Sequence, residues 1–302
     1  MIFLILSNLM TPLIFFLSLL VVSIWGMNFV AIRLGLDGFP PLFLVFIRFF
    51  LTSIPAIFFI KRPKIPFKQV LLYGLIMFAL QFSFLFIGIG LGVAPGLASL
   101  ITQVQVFFTV FWGILFFNEK PNRWQLIGCI VAFTGLLVVA THSCKTISIL
   151  GFFSLLGAGL FWSIGTMLAK KMKKTNLFSL VIWSSFVAWP PLLILSLSVE
   201  GYDKIYFALT HLTPLTIGST LYITYCSTLI GYILWSHLVQ KLPLATIGPF
   251  TILIPIIAMT SSILILQEPL FPWKILAACL VISGLALNLF SKKIASLLKF
   301  RP

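Results

Sequence analysis

The stretch FNEKPNRW at residues 117–124 returns in altered form as LQEPLFPW at residues 266–273. Glu119 and Glu268, Trp124 and Trp273, and further along Gly135 and Gly284 all stand 149 positions apart. Nearer the start of each half the offset is 137, which pairs Trp25 with Trp162 and Arg33 with Lys170. A duplicated chain accounts for both offsets if the second copy carries a longer connection around Glu200 to Thr213. Chance similarity between apolar segments is the competing explanation, and three matches at one offset weigh against it.

The sequence around these turns is too apolar for water. Of 302 residues 61% are hydrophobic and 8% charged, with a mean hydropathy of +1.18. Soluble chains run closer to about 25% charged. A helix that crosses a hydrocarbon core needs about 20 mostly apolar residues, and ten such runs are legible. They lie near Leu13 to Leu34, Pro41 to Ile60, Gln69 to Gly90, Ala94 to Phe117, and Trp124 to Ala140, then near Ile149 to Ala169, Asn176 to Ser196, Thr213 to Val239, Leu242 to Leu266, and Trp273 to Phe290. Strand-like alternation is absent, so the backbone polar groups of these runs are satisfied inside the bilayer only as helices. The expected fold is therefore an all-α integral membrane protein of ten transmembrane helices, with one five-helix repeat over 13–140 and another over 149–290. Five crossings is an odd number, which turns the second copy upside down relative to the first. Inverted repeats build secondary transporters, with the substrate site near the midplane between the copies.

A net charge of +15 would suggest nucleic acid in a soluble protein, but here it reads as a topology signal. Fifteen of the 20 lysines and arginines follow even-numbered spans or lie in the C-terminal tail, from Lys61, Arg62, Lys64 and Lys68 onward. Only Arg33, Lys145, Lys204 and Lys274 mark the ends of odd-numbered spans. The positive-inside rule then puts both termini in the cytoplasm of a multi-pass inner-membrane protein. Four scattered cysteines, Cys129, Cys144, Cys226 and Cys279, have no metal or redox spacing. The N-terminal MIFLILSNLMTP lacks a basic region and a cleavage site, and no removed signal peptide is expected.

Arg48 is the basic residue placed well inside a span, and such placement costs roughly 2.5–3.5 kcal/mol on insertion scales. Either it faces a polar cavity where it can pair with a substrate carboxylate, or it snorkels to an interface as a structural arginine. Asn28, Gln81, Gln103, Gln105, Thr166, Tyr225 and Tyr232 are the other informative polar side chains within spans. Gln103 and Gln105 point to different helix faces, so at most one faces a central cavity, and Gln103 is preferred. Interhelical hydrogen bonds at about 0.6 kcal/mol each are the plainer role for any one of them. Trp25, Trp162 and Trp235 lie near glycines where an aromatic can line or gate a pocket, although packing is the commoner use. Breaks are expected where Gly88, Gly90, Gly92, Pro95 and Gly96 join the third and fourth spans, and where Pro243, Gly248, Pro249 and Pro255 interrupt the ninth. Asp37, Glu119, Glu200, Asp203 and Glu268 all fall in loops or at span ends. That leaves His237 as the one candidate for a proton relay, and a carboxylate relay is not expected.

With those features in hand, IWGMNFVAIRLGL (24–36), PPLFLVFIRFF (40–50), APGLASLITQVQVFFTVFWGILFFNEKPNRWQLIG (94–128) and PFTILIPIIAMTSSILILQEPL (249–270) resemble the EamA branch of the drug/metabolite transporter superfamily. Within it, the pattern is similar to bacterial inner-membrane exporters of O-acetylserine and cysteine. The resemblance runs from about Leu13 to Phe290 and implies two inverted five-helix EamA repeats around a central cavity. By motif position it puts Trp25, Asn28, Arg48, Gln81 and Gln103 near that cavity from the first half, and Trp162, Tyr232 and Trp235 from the second. No cofactor, metal or catalytic group is expected from the residues. The partners expected are a small-molecule substrate and the lipid bilayer, with no nucleic acid and with a homo-oligomer left open.

Two other functions fit less well. The same fold could carry drugs, aromatic amino acids or purines, which the tryptophans would suit. A membrane-embedded enzyme would need paired intramembrane carboxylates, a metal motif or a nucleophile beside a base, and the sequence has none of these.

Overall fold

A computed structural model describes residues 12–146, 148–172, 175–242 and 247–299. Its ten membrane-length helices are Pro12–Gly35, Pro41–Phe58, Phe67–Gly90, Pro95–Phe116, Arg123–His142, Ile149–Lys171, Leu177–Val199, Pro214–Leu238, Pro249–Leu266 and Pro272–Ser291. No strand occurs among the described residues. Large apolar side chains such as Phe16, Phe111, Ile130, Phe153, Ile194 and Leu264 are more than half exposed, the outer surface that hydrocarbon rather than water would cover.

The packing has the symmetry that the two offsets imply. The first span packs on the ninth as the sixth does on the fourth, and the third packs on the sixth as the eighth does on the first. The second span meets the seventh, the fourth meets the ninth, and the fifth meets the tenth. Each of these three contacts joins repeat-related helices. Both glutamate turns share one backbone trick: Asn118 (φ 50°) and Gln267 (φ 53°) are left-handed and end the fourth and ninth spans. Asparagine tolerates that region better than most residues.

The longer connection expected after the seventh span is present and is partly helical. Tyr202–Thr210 forms a helix after Gly201, whose φ of 84° a side chain would strain. Ile205 and Ala208 are buried while Tyr202, Tyr206 and Phe207 are exposed. Nine residues with one buried stripe are too short to stand out beside ten stronger hydrophobic runs.

Glu200, which reads as a loop acid in the sequence, caps the second span. Its carboxylate accepts from the backbone N–H groups of Leu42 (2.7 Å) and Phe43 (2.9 Å) and from the Ser196 hydroxyl (2.7 Å). These amides are orphan donors of a helix start whose preceding residue, Pro40, makes no side-chain cap. Glu200→Ala is expected to destabilise the protein by about 1–2 kcal/mol, the usual worth of a cap, read as a lower melting temperature in detergent. A wild-type melting curve would mean that water replaces the carboxylate without loss.

Candidate functional site

The second span carries Arg48 into the centre of the bundle, where the residue is 2% exposed. It does not snorkel. Its Nε donates to the Thr228 hydroxyl at 2.9 Å, and Nη1 lies 3.5 Å from the Asn28 amide oxygen, a long contact. The guanidinium carbon sits 4.2 Å from the centroid of the Phe82 ring, with Phe49 and Phe86 further off. Among the described residues no carboxylate pairs with it. A guanidinium has five N–H donors, so a fixed cation with donors to spare stands at the wall of a cavity.

Two stretches of widened, π-type helix shape this wall, Gly74–Leu80 in the third span and Tyr222–Ile230 in the eighth. They occupy repeat-related spans. The second holds Thr228 so that its hydroxyl donates to the Ile223 carbonyl five residues back at 2.8 Å, which leaves its oxygen free to accept from Arg48. The first ends where Gln81 begins the following α-helix. Gln81 is 2% exposed, and its amide oxygen is buried without a hydrogen-bond partner. A buried acceptor left unmade costs about 1–3 kcal/mol, and π-type turns recur at functional sites.

The cavity is lined by Trp25, Asn28, Phe29, Arg48, Met77, Gln81, Phe82, Leu85, Trp162, Ser227, Tyr232 and Ile254, and its volume is about 80 Å³. Trp25 donates through Nε1 to the Ser227 carbonyl (3.2 Å) and meets the Tyr232 ring edge-on at 5.6 Å between centroids. Gly231 allows that approach, because a Cβ there would fall 2.6 Å from the Trp25 Nε1.

Six of the eight residues singled out from the sequence thus meet at one cavity: Trp25, Asn28, Arg48, Gln81, Trp162 and Tyr232. Gln103 and Trp235 do not line it. Gln103 lies in a tight 3₁₀ turn, Thr102–Val104, and Trp235 packs on the far side of Trp25 with centroids 5.3 Å apart. Thr166, Tyr225 and His237 face outward. The third and fourth spans part between Gly90 and Pro95, where the glycines predicted a break, and the fourth span has a further break at Thr102–Val104, whose repeat counterpart is the 3₁₀ turn Gly248–Ile252 of the ninth. Residues 243–246, which include Pro243, lie outside the described residues. Thr228, Ser227 and Phe82 are contributions that the sequence reading missed. A threonine or serine in an apolar run looks the same wherever it faces, and the π-type turn that aims Thr228 leaves no mark in the sequence.

The acidic residues stay at the ends of the spans. Glu119 pairs with Lys170, Arg33 with Asp37, and Glu268 with Lys274 at 2.7 Å. Arg33, Asp37, Ser262 and Glu268 line a cavity of about 320 Å³, which adjoins another of about 460 Å³ between Arg33, Asp37, Glu200 and Lys204.

Comparison with known proteins adds to this geometry. Residues 12–141 and 149–290 each match the model of the EamA-like transporter family. A "probable amino-acid metabolite efflux pump" of Salmonella typhimurium is 38% identical over 285 residues, covering 92% of this chain and 95% of that protein. The protein of the same name in Escherichia coli is 38% identical over 280 residues, with 91% and 94% covered. One crystal structure superimposes with a TM-score of 0.67 at 12% identity, over 95% of this chain and 98% of that one, which speaks to the fold alone.

Proposed function

The chain belongs to the EamA-like transporter family, and from that premise we propose that it exports small amino-acid metabolites, such as O-acetylserine and cysteine, across the inner membrane. The observation that carries the cargo class is Arg48: a buried guanidinium with unused donors and, among the described residues, no carboxylate beside it invites the carboxylate of a ligand. Gln81 and Asn28 offer amide oxygens to an ammonium group, and Trp25, Trp162 and Tyr232 offer ring faces to the same charge. Thr228 positions Arg48. Gln103 and Trp235, standing off the wall, act at most through their neighbours.

The small volume bears on the cycle as well as the cargo. An apolar cavity of about 150 Å³ holds one benzene ring, so 80 Å³ is a site drawn in around its own side chains that widens when loaded. A multi-ring drug or a purine would need a larger rearrangement than a small amino acid, which favours the smaller cargo. Both termini are assigned to the cytoplasm on the lysine distribution, which puts the Glu119–Lys170 pair at the cytoplasmic face and Arg33 and Glu268 at the opposite one. The exposed apolar side chains face lipid, and a homo-oligomer would form through that same surface.

The test is efflux from proteoliposomes loaded with labelled O-acetylserine or cysteine. Efflux well above that of protein-free vesicles is expected. Efflux equal to theirs rejects this cargo, and phenylalanine and a cationic dye are then the next substrates to load.

A further inference from the structure

The two glutamate turns are built alike and are paired differently. At the offset of 149, Gly113 corresponds to Ser262, Asn118 to Gln267 and Glu119 to Glu268; at 137, Arg33 corresponds to Lys170. In the first turn the Glu119 amide donates to the Gly113 carbonyl at 3.0 Å, and in the second the Glu268 amide donates to the Ser262 carbonyl at 3.4 Å. Glu119 reaches out of its own repeat to bridge Lys170 at the end of the sixth span. The symmetric bridge would join Glu268 to Arg33 at the end of the first span, on the opposite face of the membrane. That bridge is unmade: Arg33 holds Asp37, Glu268 holds Lys274 and Ser262, and the cavity of about 320 Å³ lies between them.

We infer that Glu119–Lys170 and Glu268–Arg33 are the two gates of one alternating-access cycle, made in turn. The described conformation has the lysine-rich face bridged and the Arg33 face open. The substitutions that break the symmetry fit this assignment. Lys274 stands where the first half has Gln125, and Asp37 stands where the second half has Lys174. Both gate residues on the Arg33 face therefore have a local ion-pair partner to return to when their bridge parts. The exchange matters most at Glu268, which is nearly buried beside Lys274 and would otherwise be left an unpaired charge.

The inference takes alternating access from the transporter reading, but its test needs no substrate, so it stands or fails apart from the cargo. In a background with Cys129→Ala, Cys144→Ala, Cys226→Ala and Cys279→Ala, one variant carries Glu119→Cys with Lys170→Cys and another Arg33→Cys with Glu268→Cys. Copper-catalysed oxidation in membranes is followed by a gel shift after protease cleavage engineered into the connection near residue 147. The first pair is expected to crosslink readily. The second is expected to crosslink at least fivefold more when Glu119→Gln has removed the opposing bridge than when it is intact. Equal crosslinking of the second pair in both backgrounds, or none in either, overturns the exchange. As a check free of the cysteine replacements, Asp37→Asn with Lys274→Gln removes both local partners. It should protect a cysteine introduced at Ala94, which is partly exposed and lines that cavity, from a membrane-impermeant maleimide added on the Arg33 face, and unchanged labelling would count against the gate.

Discussion

Arg48→Ala is expected to raise the concentration of O-acetylserine or cysteine needed for half-maximal efflux by about 30-fold or more, in protein that folds as well as wild type. Removing one member of a buried, hydrogen-bonded charge pair costs about 2–5 kcal/mol, and each 1.4 kcal/mol is about tenfold. The fold should tolerate the change. Thr228 keeps its donation to the Ile223 carbonyl, and a cation that costs about 2.5–3.5 kcal/mol to hold in the membrane is gone. Arg48→Lys should fall between the two, because the charge stays but the two-pronged donor geometry and the stacking on Phe82 are lost. The measurement is initial efflux rate against loaded concentration, with gel filtration and a melting curve for each variant. If folded Arg48→Ala keeps its wild-type affinity, Arg48 is structural and the carboxylate docks elsewhere.

The legibility of this site in the sequence followed the price of each residue in hydrocarbon. Arg48 stood out because an intramembrane arginine demands an explanation. Gln81 and Asn28 stood out, less strongly, for the same reason. The fold was legible through the same physics: ten apolar runs allow only helices, and a repeated turn with Glu119 and Glu268 fixed the duplication before any contact was known. Where a side chain faced was a different matter. Gln103 drops off the cavity wall because the 3₁₀ turn at Thr102–Val104 changes the helix phase just where periodicity was needed to aim it. Thr228 gains its role from the opposite distortion in Tyr222–Ile230. Helix phase is readable only while the helix is regular, and neither Thr102–Val104 nor Tyr222–Ile230 is. The ion pairs were partly legible: the offset of 137 matched Arg33 with Lys170, yet nothing in the sequence said that only one of the two bridges would be made.

Gly284→Leu is expected to produce the largest loss of stability among substitutions away from the cavity. The fifth and tenth spans are repeat partners that pack backbone to backbone. A Cβ at Gly284 would lie 2.5 Å from the Ala132 amide nitrogen and 2.5 Å from the Gly128 carbonyl oxygen, and one at Gly128 would lie 2.6 Å from the Gly284 carbonyl oxygen. Backbone atoms cannot swing aside as a side chain could, so the helices must separate. In a bilayer no hydrophobic force between helices holds such a pair together once close packing is lost, which is why small residues mark these contacts. Overpacking a tight interface costs about 1–3 kcal/mol, and a leucine against two backbones belongs at the upper end, a fall in melting temperature of about 5 °C or more. Ser283→Leu is the control, since Ser283 is exposed one residue away and leucine there meets lipid. Neither span lines the Arg48 cavity, so the Gly284→Leu protein that does fold should keep its apparent affinity and lose only in amount. A melting curve that matches the Ser283→Leu control would mean that the fifth and tenth spans do not meet as closely as Gly128 and Gly284 require.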